Sequence, residues 1–248
     1  AITVVAAQDT VESDSFNNQY DENATYPVVN VTELKEALTN GGVVAVTKDI
    51  HTNNIEDTAA ARIVISQPTT LNLEKKIITP DNMGNNTNSN FVALYVNADT
   101  TINAGKDGGI DTGVNGGYGI NVNDGATLTI NGGVFTDNHA TVGATIGALQ
   151  SVVFNMNGGT VTGNTSGAVT GGISIGYAST SYTGNGTLYL TGGTVQDNTG
   201  AGETGSPQIY AMRSGQIVLN SAKDAVEIGE IYVDDYNGAY GIYAAKPI

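Results

Sequence analysis

The 248-residue chain contains neither cysteine nor tryptophan. Disulfide bridging, thiolate nucleophiles and cysteine-held zinc are therefore excluded at the outset. Cations are scarce as well: nine Lys and Arg stand against 24 Asp and Glu, a formal net charge of −15. A protein that neutralises phosphates needs clustered cations, and only Lys75 and Lys76 are adjacent. That balance argues against any nucleic-acid partner and against docking on anionic lipid. No apolar run approaches the roughly 18 residues that cross a bilayer as a helix, so no membrane insertion is expected. Nothing in the residue types implies a cofactor. With 13% charged and 6% aromatic residues, the acidity reads as a device for solubility.

What the chain has instead is glycine, 33 residues of it, with abundant Asn and Thr arranged in a repeat. A thirteen-residue pattern occurs at 126–138 (ATLTINGGVFTDN), 152–164 (VVFNMNGGTVTGN) and 186–198 (GTLYLTGGTVQDN), at offsets of 26 and 34 residues. Each copy holds a short alternating strand, a Gly-Gly pair, a second short strand and a closing Asn. A variable unit of this length is the signature of a β-solenoid whose coils carry loop insertions. Alignment places Leu128, Phe154 and Leu188 in one column. Ile130, Met156 and Leu190 form a second, and Phe135, Val161 and Val195 a third; the spacing of two puts each set on an inner strand face. The glycine pairs suit sharp corners, where a residue without Cβ takes positive φ at little cost. Asn138, Asn164 and Asn198 suit the next corner, through tolerance of the left-handed region and through stacking as an amide ladder.

A third strand per coil lies upstream of each copy, at 118–122, 144–149 and 172–177. The same reading extends outward to 91–96, 100–103 and 109–112, and to 208–212, 216–219 and 225–233. A weaker first coil occupies 62–66, 70–73 and 76–78. The expected fold class is all-β, a right-handed single-stranded parallel β-helix of about six three-strand coils with an N-terminal capping helix. At a strand separation of about 4.8 Å, six coils make a rod about 30 Å long, whose ends need protection from edge pairing.

The capping helix is read in 31–38, with Thr32 as N-cap, Leu34 and Leu38 four apart, and Gly41-Gly42 as the stop. From there residues 31–50, VTELKEALTNGGVVAVTKDI, closely resemble the capping helix and first strand of right-handed parallel β-helix proteins of the pectate-lyase-like type. The resemblance implies the fold, and it implies coils of the kind just described through most of 31–233. Three regions follow: an N-terminal arm at 1–30, the capping helix and first strand at 31–50, and the β-helix with its C-terminal end at 51–248. The arm begins with an apolar stretch that includes Ala1, Ile2, Thr3, Val4 and Val5, followed by five carboxylates and no cation in 8–22. The apolar part has the β-branched content to add as a strand to another sheet, with the acidic part as spacer.

The resembling fold hosts polysaccharide lyases and glycosidases, which implies a specific set of catalytic groups. A lyase of this type uses Arg or Lys near an Asp cluster. The chain offers only Arg62 and Arg213, about five coils apart and without a matching Asp pair. Among Asp107, Asp111, Asp124, Asp137 and Asp197, the pair Asp137 and Asp197 shares a corner position. Gly163 lies between them, which leaves the carboxylates about 10 Å apart at the upper limit for an inverting pair. Turn capping explains them better. His51 and His139 read as solvated loop residues, and Asp234-Asp235 as a solvated turn. No catalytic, cofactor or metal residues are assigned, and the chain is expected not to be an enzyme.

Tyr232, Tyr236, Tyr240 and Tyr243 cluster towards the C-terminus, where they either cover the last coil or present a surface for glycan or protein. The expectation is a non-enzymatic structural or attachment protein projecting from a surface. A bacteriophage virion component, capsid or tail decoration or fibre, comes first, and a bacterial cell-surface adhesin module binding glycan or protein comes second. A polysaccharide lyase or glycosidase is third. The absence of a secretion signal or wall-sorting tail from this sequence tilts the expectation to the virion. The partner is a protein assembly reached through the arm, a glycan is a further one, and a homo-trimer is compatible with either setting.

Overall fold

The computed structural model describes residues 26–52, 63–78, 92–111, 118–140, 143–167, 170–176, 185–201, 206–220, 226–233 and 242–244. Within them the chain is all-β apart from one helix, and every strand pairing is parallel. Three stacked sheets form the body. The first has nine strands: Tyr26–Val28, Gly42–Val46, Thr69–Leu73, Thr100–Ala104, Thr127–Ile130, Val153–Met156, Gly186–Leu190, Gly215–Leu219 and Ile242–Ala244. The second and third have seven each, and the chain visits first, second and third sheets in turn before returning to the first. A short side sheet pairs His139–Ala140 with Thr165–Ser166. The architecture is that of a parallel β-helix-like solenoid.

The aligned repeat predicts the register. Leu128 pairs with Phe154 and Phe154 with Leu188, while Ile130 pairs with Met156 and Met156 with Leu190. Phe135, Val161 and Val195 stack in the second sheet. All nine side chains are at most 1% exposed. In the third sheet Ile120, Ile146, Ile173 and Ile209 form a matching column. These columns join one continuous core along the stack, held by burial of apolar area at about 25 cal/mol per Å². Two hydroxyls share the inner face of the first sheet, Thr69 and Thr100. Each donates to a carbonyl two residues back, Gln67 at 2.8 Å and Ala98 at 2.9 Å, which satisfies the group within its own turn.

Both corners follow from backbone conformation. The second glycine of each pair carries the positive φ: 103° at Gly133, 93° at Gly159 and 103° at Gly193. At the following corner the left-handed residue is Asp137 (φ 57°), Gly163 (68°) or Asp197 (56°). The expectation that the closing Asn takes this conformation is therefore corrected by one residue: the Asn that follows is free to point inward.

The helix, Val31–Asn40, buries Leu34 and Leu38 against Tyr26–Val28, Gly42–Val46 and Ile63–Ile65 and so covers one end of the stack. Its N-cap is Asn30, two residues before the expected Thr32. Asn30 Oδ1 accepts from the Glu33 N–H at 3.0 Å, and Glu33 reaches back to accept from Asn30 Nδ2 at 2.7 Å and from the Val29 N–H at 3.0 Å. This reciprocal arrangement satisfies the orphan donors of the first turn. Gly41 (φ 74°) ends the helix as expected. Tyr26–Val28, read as part of the arm, is an edge strand of the first sheet. The segment 225–233, expected as one strand, holds two: Val226–Ile228 in the second sheet and Ile231–Val233 in the third, with the corner at Gly229-Glu230.

Candidate functional site

Two columns of asparagine amides run along the solenoid, and they differ in kind. The inner one sits at the corner between the second and third sheets, where Asn138, Asn164 and Asn198 are at most 1% exposed. Asn164 Oδ1 accepts from Asn138 N and Nδ2, both at 3.0 Å. Asn164 Nδ2 donates to Asn198 Oδ1 at 2.7 Å and to the Phe135 carbonyl at 2.9 Å. Gln208 closes the column: its Oε1 accepts from Asn198 N and Nδ2 at 2.8 and 2.9 Å, and its Nε2 donates to the Asn198 carbonyl. The amide ladder anticipated from the repeat is thus present, buried and saturated, and it works as structure.

The outer column was not anticipated. Asn72, Asn103, Asn131 and Asn157 lie on the outer face of the first sheet and its exit, one coil apart. Asn157 Nδ2 donates to Asn131 Oδ1 at 2.9 Å, Asn131 to Asn103 at 2.7 Å, and Asn103 to Asn72 at 2.9 Å. A shallow open groove of about 360 Å³ runs beside it, lined by Asn72, Asn103 and Asn131 with Leu73, Glu74 and Ala104. The signal was available in TLNLE, TINAG and LTING, where an Asn follows each inner Leu or Ile by one residue.

Three carboxylates of the body serve the backbone. Asp49 accepts from the Lys76 N–H at 3.0 Å, Asp99 from Thr127 at 2.9 Å and Asp124 from Ser151 at 3.2 Å, each tying one coil to the next. Asp137 and Asp197 occupy the left-handed corner position, two coils apart with Gly163 between. Asp107 is exposed in a turn and Asp111 ends the strand Gly109–Asp111. His139 Nδ1 lies 2.8 Å from Thr165 Oγ1 in the side sheet, which corrects its reading as a solvated loop residue, while His51 is exposed at a strand end. Arg213 lies in the turn after Ile209–Ala211. Among the described residues, no group of three or more His, Asp or Glu could hold a metal ion, and no helix is long and apolar enough to cross a membrane.

Of the expected surface residues, Tyr232 sits on the last strand of the third sheet, in register with Tyr210, with ring centroids 5.6 Å apart and planes tilted by 33°. Tyr243 lies in Ile242–Ala244, in register with Val218 at the edge of the first sheet. Tyr236 and Tyr240 lie outside the described residues, as do Ala1, Ile2, Thr3, Val4 and Val5 of the arm, Arg62, and Asp234-Asp235. No protein-family model, curated protein or solved structure matches the chain, so the parallel solenoid stands on the geometry described above.

Proposed function

We propose that this chain is a non-enzymatic structural and attachment module: a short right-handed β-helical rod that projects from a surface, in the first place that of a bacteriophage particle. The observation that carries the reading is the use of the acids. Asp49, Asp99 and Asp124 are committed to backbone N–H groups of neighbouring coils, and Asp137 and Asp197 to left-handed corners. A glycosidase needs two carboxylates free to converge on one bond; Asp49, Asp99 and Asp124 are spent on holding coils together, and Asp137 and Asp197 stand two coils apart with Gly163 between them. The right hand follows from the strong preference of parallel crossover connections. Attachment is assigned to residues 1–25, which enter the body through Tyr26–Val28 beside the capping helix. An adhesin module of a bacterial cell surface is the second reading, favoured by the stacked Tyr210 and Tyr232 on an outer sheet face.

The test is incubation of the full chain with polygalacturonate, alginate and mixed capsular glycans. The expected result is release of neither unsaturated uronates nor new reducing ends. Appearance of either product, lost in Asp137→Asn or Arg213→Ala, would replace this reading with the lyase or glycosidase one.

A further inference from the structure

The two amide columns make a comparison within one molecule. Each carboxamide offers two N–H donors and two acceptor lone pairs. Asn164, inside, uses all four: its Nδ2 donates to Asn198 and Phe135, and its Oδ1 accepts twice from Asn138. Asn131, outside, uses one of each, donating to Asn103 and accepting from Asn157. Asn103 does the same between Asn72 and Asn131. Each such rung keeps one donor and one acceptor for the outside. The bonds from rung to rung fix the orientation of the Asn103 and Asn131 amides, so the remaining pairs recur once per coil, at about 4.8 Å, along an open groove.

We propose that this outer column, Asn72, Asn103, Asn131 and Asn157, is a binding strip for an extended neutral glycan lying along the solenoid axis. Hydroxyl groups donate and accept at once, which matches an amide that presents one of each. An extended peptide along the same line repeats at about 3.3 Å per residue and drifts out of step with coils about 4.8 Å apart. A polyanion meets Glu74 in the groove and the field of a protein with net charge −15. The half-buried Ala104 supplies a small apolar floor for the C–H face of a sugar ring. The strip is separate from the non-enzymatic reading, because titration reads binding whereas the state of the recovered sugar reads cleavage.

Isothermal titration of the full chain with linear neutral hexasaccharides of β-1,4-glucose, β-1,4-mannose and β-1,4-N-acetylglucosamine, and with hexagalacturonate, tests it. At least one neutral hexasaccharide should bind with a dissociation constant below about 1 mM, with hexagalacturonate at least about ten-fold weaker. Asn103→Ala combined with Asn131→Ala should weaken binding about ten-fold or more. Gln216→Ala, at the far end of the same sheet, should leave it unchanged. The near-isosteric Asn131→Asp, which replaces the outward donor by a charge, gives a second reading should the double variant lose its fold, and it should also weaken binding. Absence of neutral binding, equal binding of hexagalacturonate, or undiminished affinity in a folded Asn131→Asp protein would each overturn the proposal. Sugar chromatographed after titration reads hydrolysis independently.

Discussion

Asn164 and Asn131 are the same residue type in opposite settings: one faces in, the other out. Removing the Asn164 side chain would take a partner from the Asn138 N–H, from one N–H of the Asn138 amide and from the Phe135 carbonyl, all in a dry interior. Unsatisfied buried groups cost about 1–3 kcal/mol each and share some relaxation, so Asn164→Ala should lose about 3 kcal/mol or more. Asn131→Ala leaves its partners open to water and should cost under about 1 kcal/mol. Urea denaturation of the two variants, read as a midpoint shift at constant m, separates them. The left-handed corner makes a second residue-scale prediction. Gly163 stands where the neighbouring coils have Asp137 and Asp197, and Asp is among the few residues that visit this region readily. Gly163→Asp should therefore stay within about 1 kcal/mol of the parent, while β-branched Gly163→Val should cost about 2 kcal/mol or more. Equal losses, measured in the same denaturation series, would mean that the corner is not under this constraint.

Among the elements, the helix shows where local chemistry overrides a plausible reading from sequence. Thr32 before Glu33 and Leu34 looks like a cap, yet Asn30 and Glu33 form the reciprocal pair three residues apart, and the helix begins at Val31. Asn30→Ala should cost about 1 kcal/mol and Thr32→Ala close to nothing, measured by thermal unfolding of the two variants. The columns of Leu128, Phe154 and Leu188 were legible because three copies aligned without gaps inside the thirteen residues, and a slip of one residue would turn every apolar side chain outward. Tyr26–Val28 was not legible, since three residues are too few to show a period of two and its partner strand lies beyond the helix. The corner within 225–233 hid because Gly229-Glu230 stands there without the closing Asn that marks the same corner in the repeats. The outer Asn column is hard to read in the sequence because Asn is so common in this chain that an Asn after each inner Leu or Ile stands out only once the coils are in register.

At the scale of the whole molecule, the candidate site was partly legible: the acids were read as corner residues, while the strip of outer amides appeared only with the stack. Everything argued about those acids and amides depends on coils that are parallel and in register, with residue 129 above residue 155 and residue 155 above residue 189. The absence of cysteine makes that claim directly measurable. Thr129 and Asn155 are register partners on the outer face, with Asn155 Nδ2 3.2 Å from Thr129 Oγ1, and adjacent strands about 4.8 Å apart fall within the span of a disulfide. Thr129→Cys combined with Asn155→Cys should close an intramolecular disulfide under mild oxidation, seen as a mass loss of about two hydrogens and a loss of free thiol. The offset pair Thr129→Cys with Asn157→Cys should stay reduced or cross-link between molecules. Rapid closure of the offset pair with none in the matched pair would contradict the parallel register, and with it the placement of the acids and of both amide columns.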